Sequence, residues 1–215
     1  MRARAHVTPA RIVAPTGPVP RGPGAPSAGG PVLATWASMN VFKADIEEIR
    51  RRAMEKMEQG AVTASYQADQ VRVVEVLNEV LATETVCTLR YRNHYFMASG
   101  IHASGVEKEF LEHAQEEQQH ADRVAKRITE LGGTPNLDPV GLATRSHAQY
   151  GTGQTLEEMI REDLIAERIA VATYSEIVRW LGNDDPTTRR MMEELLATEE
   201  EHADDMAKLL VRVAR

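Results

Sequence analysis

The sequence predicts an all-α protein: an antiparallel four-helix bundle with one long crossover between the second and third long helices, preceded by a short N-terminal helix. Three observations carry this. Aromatic residues make up only 5% of the 215 residues while Ala, Leu, Glu and Arg are abundant, a balance that favours helix over strand. Glycines at 60, 100, 132, 133 and 182 divide the rest into long periodic stretches. A ten-residue pattern, Glu-x-x-His-Ala-Asp-x-x-Ala-Lys, occurs twice, at 117–126 and 199–208.

Composition narrows the class further. A hydrophobic content of 42% supplies one sizeable core. The single cysteine, Cys87, excludes an intramolecular disulfide framework and a Cys-rich zinc site, and suits a reducing, cytoplasmic setting. No apolar run approaches the roughly 20 residues that span a membrane. The net charge of −7 is uneven: residues 1–38 hold four Arg and no acid, which leaves −11 for the remainder. An acidic body argues against general nucleic-acid binding and is compatible with attracting cations.

Taken in order, residues 1–38 form a tail. Its first 31 residues hold seven of the ten prolines, too little apolar surface to offset ordering, and read as disordered. Met39 is an alternative start. Residues 39–64 are a short helix and linker, with Ile46, Ile49, Ala53 and Met57 on one stripe over 42–58 and Gly60 as its stop. Residues 65–215 are the bundle. The first long helix runs from about Ser65 to Ser99, Gly100 and Gly105 bracket a turn, and the second runs from about Ser104 to Leu131 before Gly132-Gly133. Residues 134–154 form a connection long enough to cross over, with room for a short helix between Pro139 and Tyr150. Thr155-Leu156-Glu157-Glu158 is a capping box opening the third long helix, which ends at Gly182. Asp185-Pro186 supplies the N-cap and first-turn proline of the fourth.

The repeat carries the chemistry. Residues three apart share a helix face, so Glu117 with His120, and Glu199 with His202, can grip one ion each. Upstream of each pair lies a lone Glu in an apolar stretch: Glu84, 33 residues before Glu117, and Glu167, 32 before Glu199. Four carboxylates balance the charge of two divalent ions, and each His adds a neutral nitrogen. Buried carboxylates without such partners are costly, so a metal explains their apolar setting. Mixed oxygen and nitrogen ligation with open positions suits iron, or manganese, better than a closed zinc site. Glu200 and Glu201 have the wrong spacing for that face and point to solvent or a cavity. Cys87 reads as a small core residue one turn from Glu84, and His94, His102, His113 and His147 as surface or capping residues.

These six residues, the Glu-x-x-His-Ala-Asp-Arg run at 117–123 and Tyr91, two turns beyond Glu84, resemble the bacterioferritin and Dps-like branch of the ferritin superfamily over roughly residues 65–213. The resemblance implies a ferritin-like bundle holding an intrasubunit di-iron centre of Glu84, Glu117, His120, Glu167, Glu199 and His202. It implies a ferroxidase that oxidises Fe(II) with O2 or H2O2 and stores Fe(III) inside a homo-oligomeric shell. It also matches Tyr91 to a tyrosine near that centre, either a redox participant or a plain core residue, with Tyr174 equivalent after Glu167. The bacterioferritin haem ligand is a Met where this chain has Gln118, so haem is not expected. Only 13 residues follow His202, too few for a fifth helix, which favours the dodecameric Dps-like group over twenty-four-subunit shells. Members of that group that carry a cysteine pair differ from this chain, which has one. Two rivals remain: a di-iron or di-manganese peroxidase or catalase that retains its metals, and a Dps-like DNA-protecting protein using the Arg-bearing tail, whose DNA binding is expected to be weak or absent.

Overall fold

The computed structural model describes residues 42–100 and 103–213, and the unit from Ala44 onward contains every element discussed below. The tail and the Met39 start lie outside the described residues, as does His102. Among the described residues there are six α-helices and no strand: α1 (Ile46–Ala53), α2 (Gln70–Met97), α3 (Ala103–Glu130), α4 (Leu142–Arg145), α5 (Leu156–Leu181) and α6 (Pro186–Val213). None is long and apolar enough to cross a membrane.

Most ends follow the caps read from the sequence. Thr155 and Glu158 make both bonds of the capping box at the start of α5. Asp185 accepts the Thr188 N–H at 2.9 Å and opens α6 behind Pro186. At the end of α3, Gly132 takes φ +73°, its N–H reaches the Thr129 carbonyl and that of Gly133 the Ile128 carbonyl, the paired closure of a glycine stop. The first long helix begins at Gln70 rather than Ser65, because Asp69 caps it through the Arg72 N–H at 3.1 Å. Gly105 lies inside α3 and not in a turn.

The helix expected over 42–58 is shorter. It stops at Ala53, Lys56 turns left-handed at φ 51°, and Met57–Gln59 make one 3-10 turn. Ile46, Ile49 and Met57 are exposed, so the predicted stripe exists but nothing described covers it. An eight-residue helix without a packed face has little to hold it.

Two cores set the helix directions. One joins the start of α2 (Val73, Leu77) with the end of α3 (Ile128), the end of α5 (Leu181) and the start of α6 (Met192). The other joins the end of α2 (Tyr91) with the start of α3 (Phe110), the start of α5 (Ile160) and the end of α6 (Met206). Thus α2 runs parallel to α6 and antiparallel to α3 and α5. The chain must therefore travel the length of the bundle between α3 and α5. It does so along α2, where Asn136 N–H bonds Asn78 Oδ1 at 2.7 Å, His147 N–H bonds Thr83 Oγ1 at 2.9 Å, and Arg90 Nη1 bonds the Gln149 carbonyl at 3.1 Å. The helix α4 sits in this crossover. At the far end, Arg127 of α3 bonds Asp185 and Thr188, and Tyr66 of the linker donates to Asp185 at 2.9 Å.

Candidate metal centre

Between the two cores, six polar residues meet. Glu84 comes from α2, Glu117 and His120 from α3, Glu167 from α5, Glu199 and His202 from α6, and none is more than 5% exposed. The structure thus brings together all six residues that the repeat singled out. They form two groups, Glu84–Glu117–His120–Glu199 and Glu117–Glu167–Glu199–His202, each with its ligating atoms within 4.8 Å of one another. Glu117 and Glu199 belong to both groups.

The arrangement has an internal twofold character. His120 Nδ1 lies 3.0 Å from Glu199 Oε1 and 3.4 Å from Glu84 Oε2. In mirror fashion, His202 Nδ1 lies 3.3 Å from Glu117 Oε1 and 3.9 Å from Glu167 Oε2. These approaches are ion-pair distances without hydrogen-bond alignment. Glu84 Oε2, Glu117 Oε1, Glu167 Oε2, Glu199 Oε1 and the two Nδ1 atoms are consequently all buried with no hydrogen-bond partner. Six orphaned ligand atoms, one from each residue and facing one space, are what a pair of cations fits, since leaving any one buried and unpaired costs about 1–3 kcal/mol.

Electrostatics point the same way. Burial and the surrounding carboxylates push Glu117 and Glu167 well above the usual carboxylate range. Burial also opposes the charge on Glu199, but His120 and His202 beside it hold it below that range. Burial pulls His120 down, yet Glu199 and Glu84 carry it up to about 10, and Glu199 with Glu116 raises His202 against the same burial. Packed this closely, Glu117 and Glu167 favour their protonated forms while both imidazoles favour theirs, and a divalent cation at the centre would compete with those protons.

A second layer holds the carboxylates in place. Tyr91 donates its hydroxyl to Glu167 Oε1 at 2.5 Å, and Tyr174 donates to Glu84 Oε1. Each tyrosine therefore serves the glutamate of the opposite half, not the one on its own helix. Glu116 Oε2 sits 2.7 Å from His202 Nε2; a proton held there leaves the Nδ1 lone pair facing inward.

Two of the histidines expected at the surface are buried instead. His94 is fully enclosed: its Nδ1 lies 2.8 Å from Asp163 Oδ2, while Asp163 Oδ1 accepts from Arg90 Nε at 2.7 Å. Arg90 also reaches the Gln149 carbonyl, so His94 and Arg90 of α2, Asp163 of α5 and the Gln149 carbonyl of the crossover satisfy one another in this enclosed network. His113, also buried, stacks on His202 with ring centroids 3.9 Å apart, and its Nδ1 is 3.2 Å from the Tyr91 hydroxyl. Burial and His202 push His113 down to about 3. His147 is half-buried on the crossover, 3.4 Å from Glu79. The sequence pattern does not single out Arg90, Asp163 or Glu116; the available signal is spacing, since Asp163 precedes Glu167 by one helical turn and His113 precedes Glu117 by the same. Cys87 is a buried neighbour of Glu84, its thiol pushed up by burial, and Glu200 and Glu201 are exposed.

Comparison with known proteins gives this centre a setting. Residues 74–215 match the Ferritin family, described as a ferritin-like domain. A bacterioferritin from Brucella melitensis is 32% identical over 147 residues, covering 67% of this chain and 86% of that protein. A DNA protection during starvation protein from Pyrococcus furiosus is 32% identical over 149 residues, covering 66% and 78%. The solved structure of a dodecameric thioferritin, the bacterioferritin-related protein of Bacteroides fragilis, superposes with a TM-score of 0.66 at 32% identity, covering 69% of this chain and 90% of that one. With an all-helical bundle, a full-length crossover and a matching domain over two thirds of its length, this chain belongs to the ferritin-like family.

Proposed function

We propose that this protein is a ferroxidase of the iron-storage and detoxification type, with Fe(II) as substrate and O2 or H2O2 as oxidant. The observation that carries this is the set of six buried, unpartnered ligand atoms, one on each of Glu84, Glu117, His120, Glu167, Glu199 and His202. Bacterioferritin relatives at about this identity support the same activity at the level of the family.

Fe(II) bound between these residues would supply the electrons for reduction of the oxidant. The chain does the rest. Glu84, Glu117, His120 and Glu199 would hold one ion, and Glu117, Glu167, Glu199 and His202 the other, with Glu117 and Glu199 shared. The protons that burial favours on Glu117 and Glu167 would leave on loading, and the four carboxylates together would neutralise both ions. Tyr91 and Tyr174 keep the Glu167 and Glu84 carboxylates turned inward. The apolar cores at either end of the bundle keep bulk water from reaching the centre along the bundle axis. Tyr91, joined to both Glu167 and His113, is the residue we place as a redox participant. The donor set also accepts manganese.

A closed homo-oligomeric shell, dodecameric like the thioferritin of Bacteroides fragilis, is part of this reading. Aerobic addition of Fe(II) to the purified protein, followed by sizing and iron counting, tests it. Storage predicts far more iron per subunit than the two ions the centre accommodates. Iron that stops at that stoichiometry would favour an enzyme that keeps its metals, and absence of rapid oxidation would overturn the reading.

A further inference from the structure

The long crossover is not held evenly along its length. Its first part is braced largely from within: Arg145 donates to the Val140 carbonyl at 3.0 Å and to the Asp138 carbonyl at 2.8 Å. Residues 147–153 depend instead on side chains of α2 and α5. Thr83 Oγ1 accepts the His147 N–H at 2.9 Å, Arg90 Nη1 donates to the Gln149 carbonyl at 3.1 Å, and Glu162 Oε2 accepts the Gly153 N–H at 2.9 Å. Two glycines let this segment lie flat against α5. A Cβ on Gly151 would come within 2.2 Å of Glu162 Oε2, and one on Gly153 within 2.7 Å of the Met159 backbone nitrogen.

Little apolar surface backs these bonds. Under the segment lie three small buried residues, Cys87 of α2, Ala148 of the segment itself and Ala166 of α5, set apart from the two cores that hold the bundle. Beside them a cavity of about 250 Å³ runs between Gln149, Tyr150 and Gly151 on one side and Glu162, Ile165, Ala166 and Ile169 on the other. The closed arrangement also carries a defect. His94 Nε2 lies 3.5 Å from Glu162 Oε2, buried and without a hydrogen-bond partner, while its Nδ1 is engaged with Asp163. An unpaired buried nitrogen disfavours closure, and water entering beside Glu162 would satisfy it. A segment with three anchoring bonds, a small apolar contact and an orphaned nitrogen beneath it opens before the bundle does.

The thiol underneath marks the place. Cys87 is 2% exposed and lies one turn from Glu84. Its sulfur is 3.5 Å from Arg90 Nη2, on the same guanidinium that holds the Gln149 carbonyl. Lifting the segment therefore frees one side of that guanidinium and uncovers the sulfur.

We propose that residues 147–153 are a strap, latched by Arg90 and Glu162, whose local opening admits small uncharged molecules to Cys87 on the α2–α5 side of the six-residue cluster while the four long helices stay folded. The proposal does not depend on what that cluster holds.

Iodoacetamide, small and uncharged, is the probe, applied to the whole protein at about pH 8.5, where an exposed thiol ionises. Cys87 is the only thiol, so the mass gained by the intact chain reports this one position. Under the closed strap, burial keeps the thiol protonated and unreactive. Wild-type protein should label slowly, at a rate that hardly changes as urea is added below the unfolding transition, because a local opening exposes little surface. Glu162→Ala removes the partner of the Gly153 N–H, and Gly153→Ala forces the segment off α5; each should label on the order of 10–100-fold faster. Ile128→Val weakens an apolar core without touching the strap and should label at the wild-type rate. Circular dichroism of each variant checks that the helices remain. Wild-type labelling that climbs in step with urea unfolding overturns the inference, since exposure then belongs to the unfolded chain, and that comparison needs no variant. Equal acceleration in Ile128→Val and the latch variants, or none in either latch variant, overturns it as well.

Discussion

The two halves of the bundle agree at the six clustered residues and disagree one turn away. Glu84, Glu117, His120 and Tyr174 have counterparts of identical type in Glu167, Glu199, His202 and Tyr91, and the contacts repeat with small differences in distance. Beyond them, Arg90, Asp163 and His113 have as counterparts Thr173, Val80 and Leu195. The first trio makes buried polar contacts; the second lies in or beside the apolar core. A centre that is to hold two equal charges, as proposed here, would require symmetry only in what touches those charges. The shell around it is free to differ.

The largest expected effect breaks the shared part. Glu117→Ala or His202→Ala removes a ligand, and Fe(II) oxidation followed by stopped-flow absorbance should fall by at least about 100-fold, more than the loss of an outer-shell partner brings. Circular dichroism and sizing should be unchanged, because the bundle packs through the two apolar cores. Wild-type oxidation in either variant would remove that residue from the centre.

Next in size is the contrast between the networks. Arg90→Leu strands Asp163 as a buried charge, and urea unfolding should show a loss of about 3–5 kcal/mol. The counterpart Thr173→Ala, at a half-buried position with no side-chain hydrogen bond among the described residues, should stay within about 0.5 kcal/mol. Comparable losses at both positions would mean that the network is not what distinguishes the halves.

A smaller contrast separates the tyrosines. Tyr91→Phe and Tyr174→Phe each delete a hydrogen bond to a glutamate, worth about 1.5–3 kcal/mol where the acceptor is charged. Only Tyr91 also touches His113, so its variant should slow oxidation more than Tyr174→Phe does. Equal rates would show that His113 does not set the tyrosines apart. The smallest effect is expected outside the halves altogether: a chain starting at Met39 should assemble and oxidise iron like the full-length one. Its DNA binding in a low-salt gel shift should not exceed that of the longer chain, since the four Arg of residues 1–38 are lost.

The symmetric part was legible in the sequence because it is local. Glu-x-x-His declares a shared helix face within four residues, and a second copy with its own upstream Glu declares a partner of the same kind. Helix ends were legible for a similar reason, since Thr155 with Glu158 and Asp185 with Thr188 form their bonds within one turn. The asymmetric part was not. Arg90 and Asp163 are 73 residues apart, and neither His94 nor Asp163 has a neighbour in sequence that signals burial. A charged residue on a helix ordinarily faces water, and only the packing of α2 against α5 and the crossover turns these inward. The stripe on α1 misled in the opposite sense: its periodicity is real, yet no described residue packs against it.

The position that Fe(II) takes up tests the two-ion centre most directly. Crystals loaded anaerobically with Fe(II) and measured at the iron absorption edge should show a pair of irons in every subunit. One should lie between Glu84, Glu117, His120 and Glu199, and the other between Glu117, Glu167, Glu199 and His202. Iron bound only elsewhere on the protein, with these six side chains still facing one another unligated, would contradict a two-ion centre.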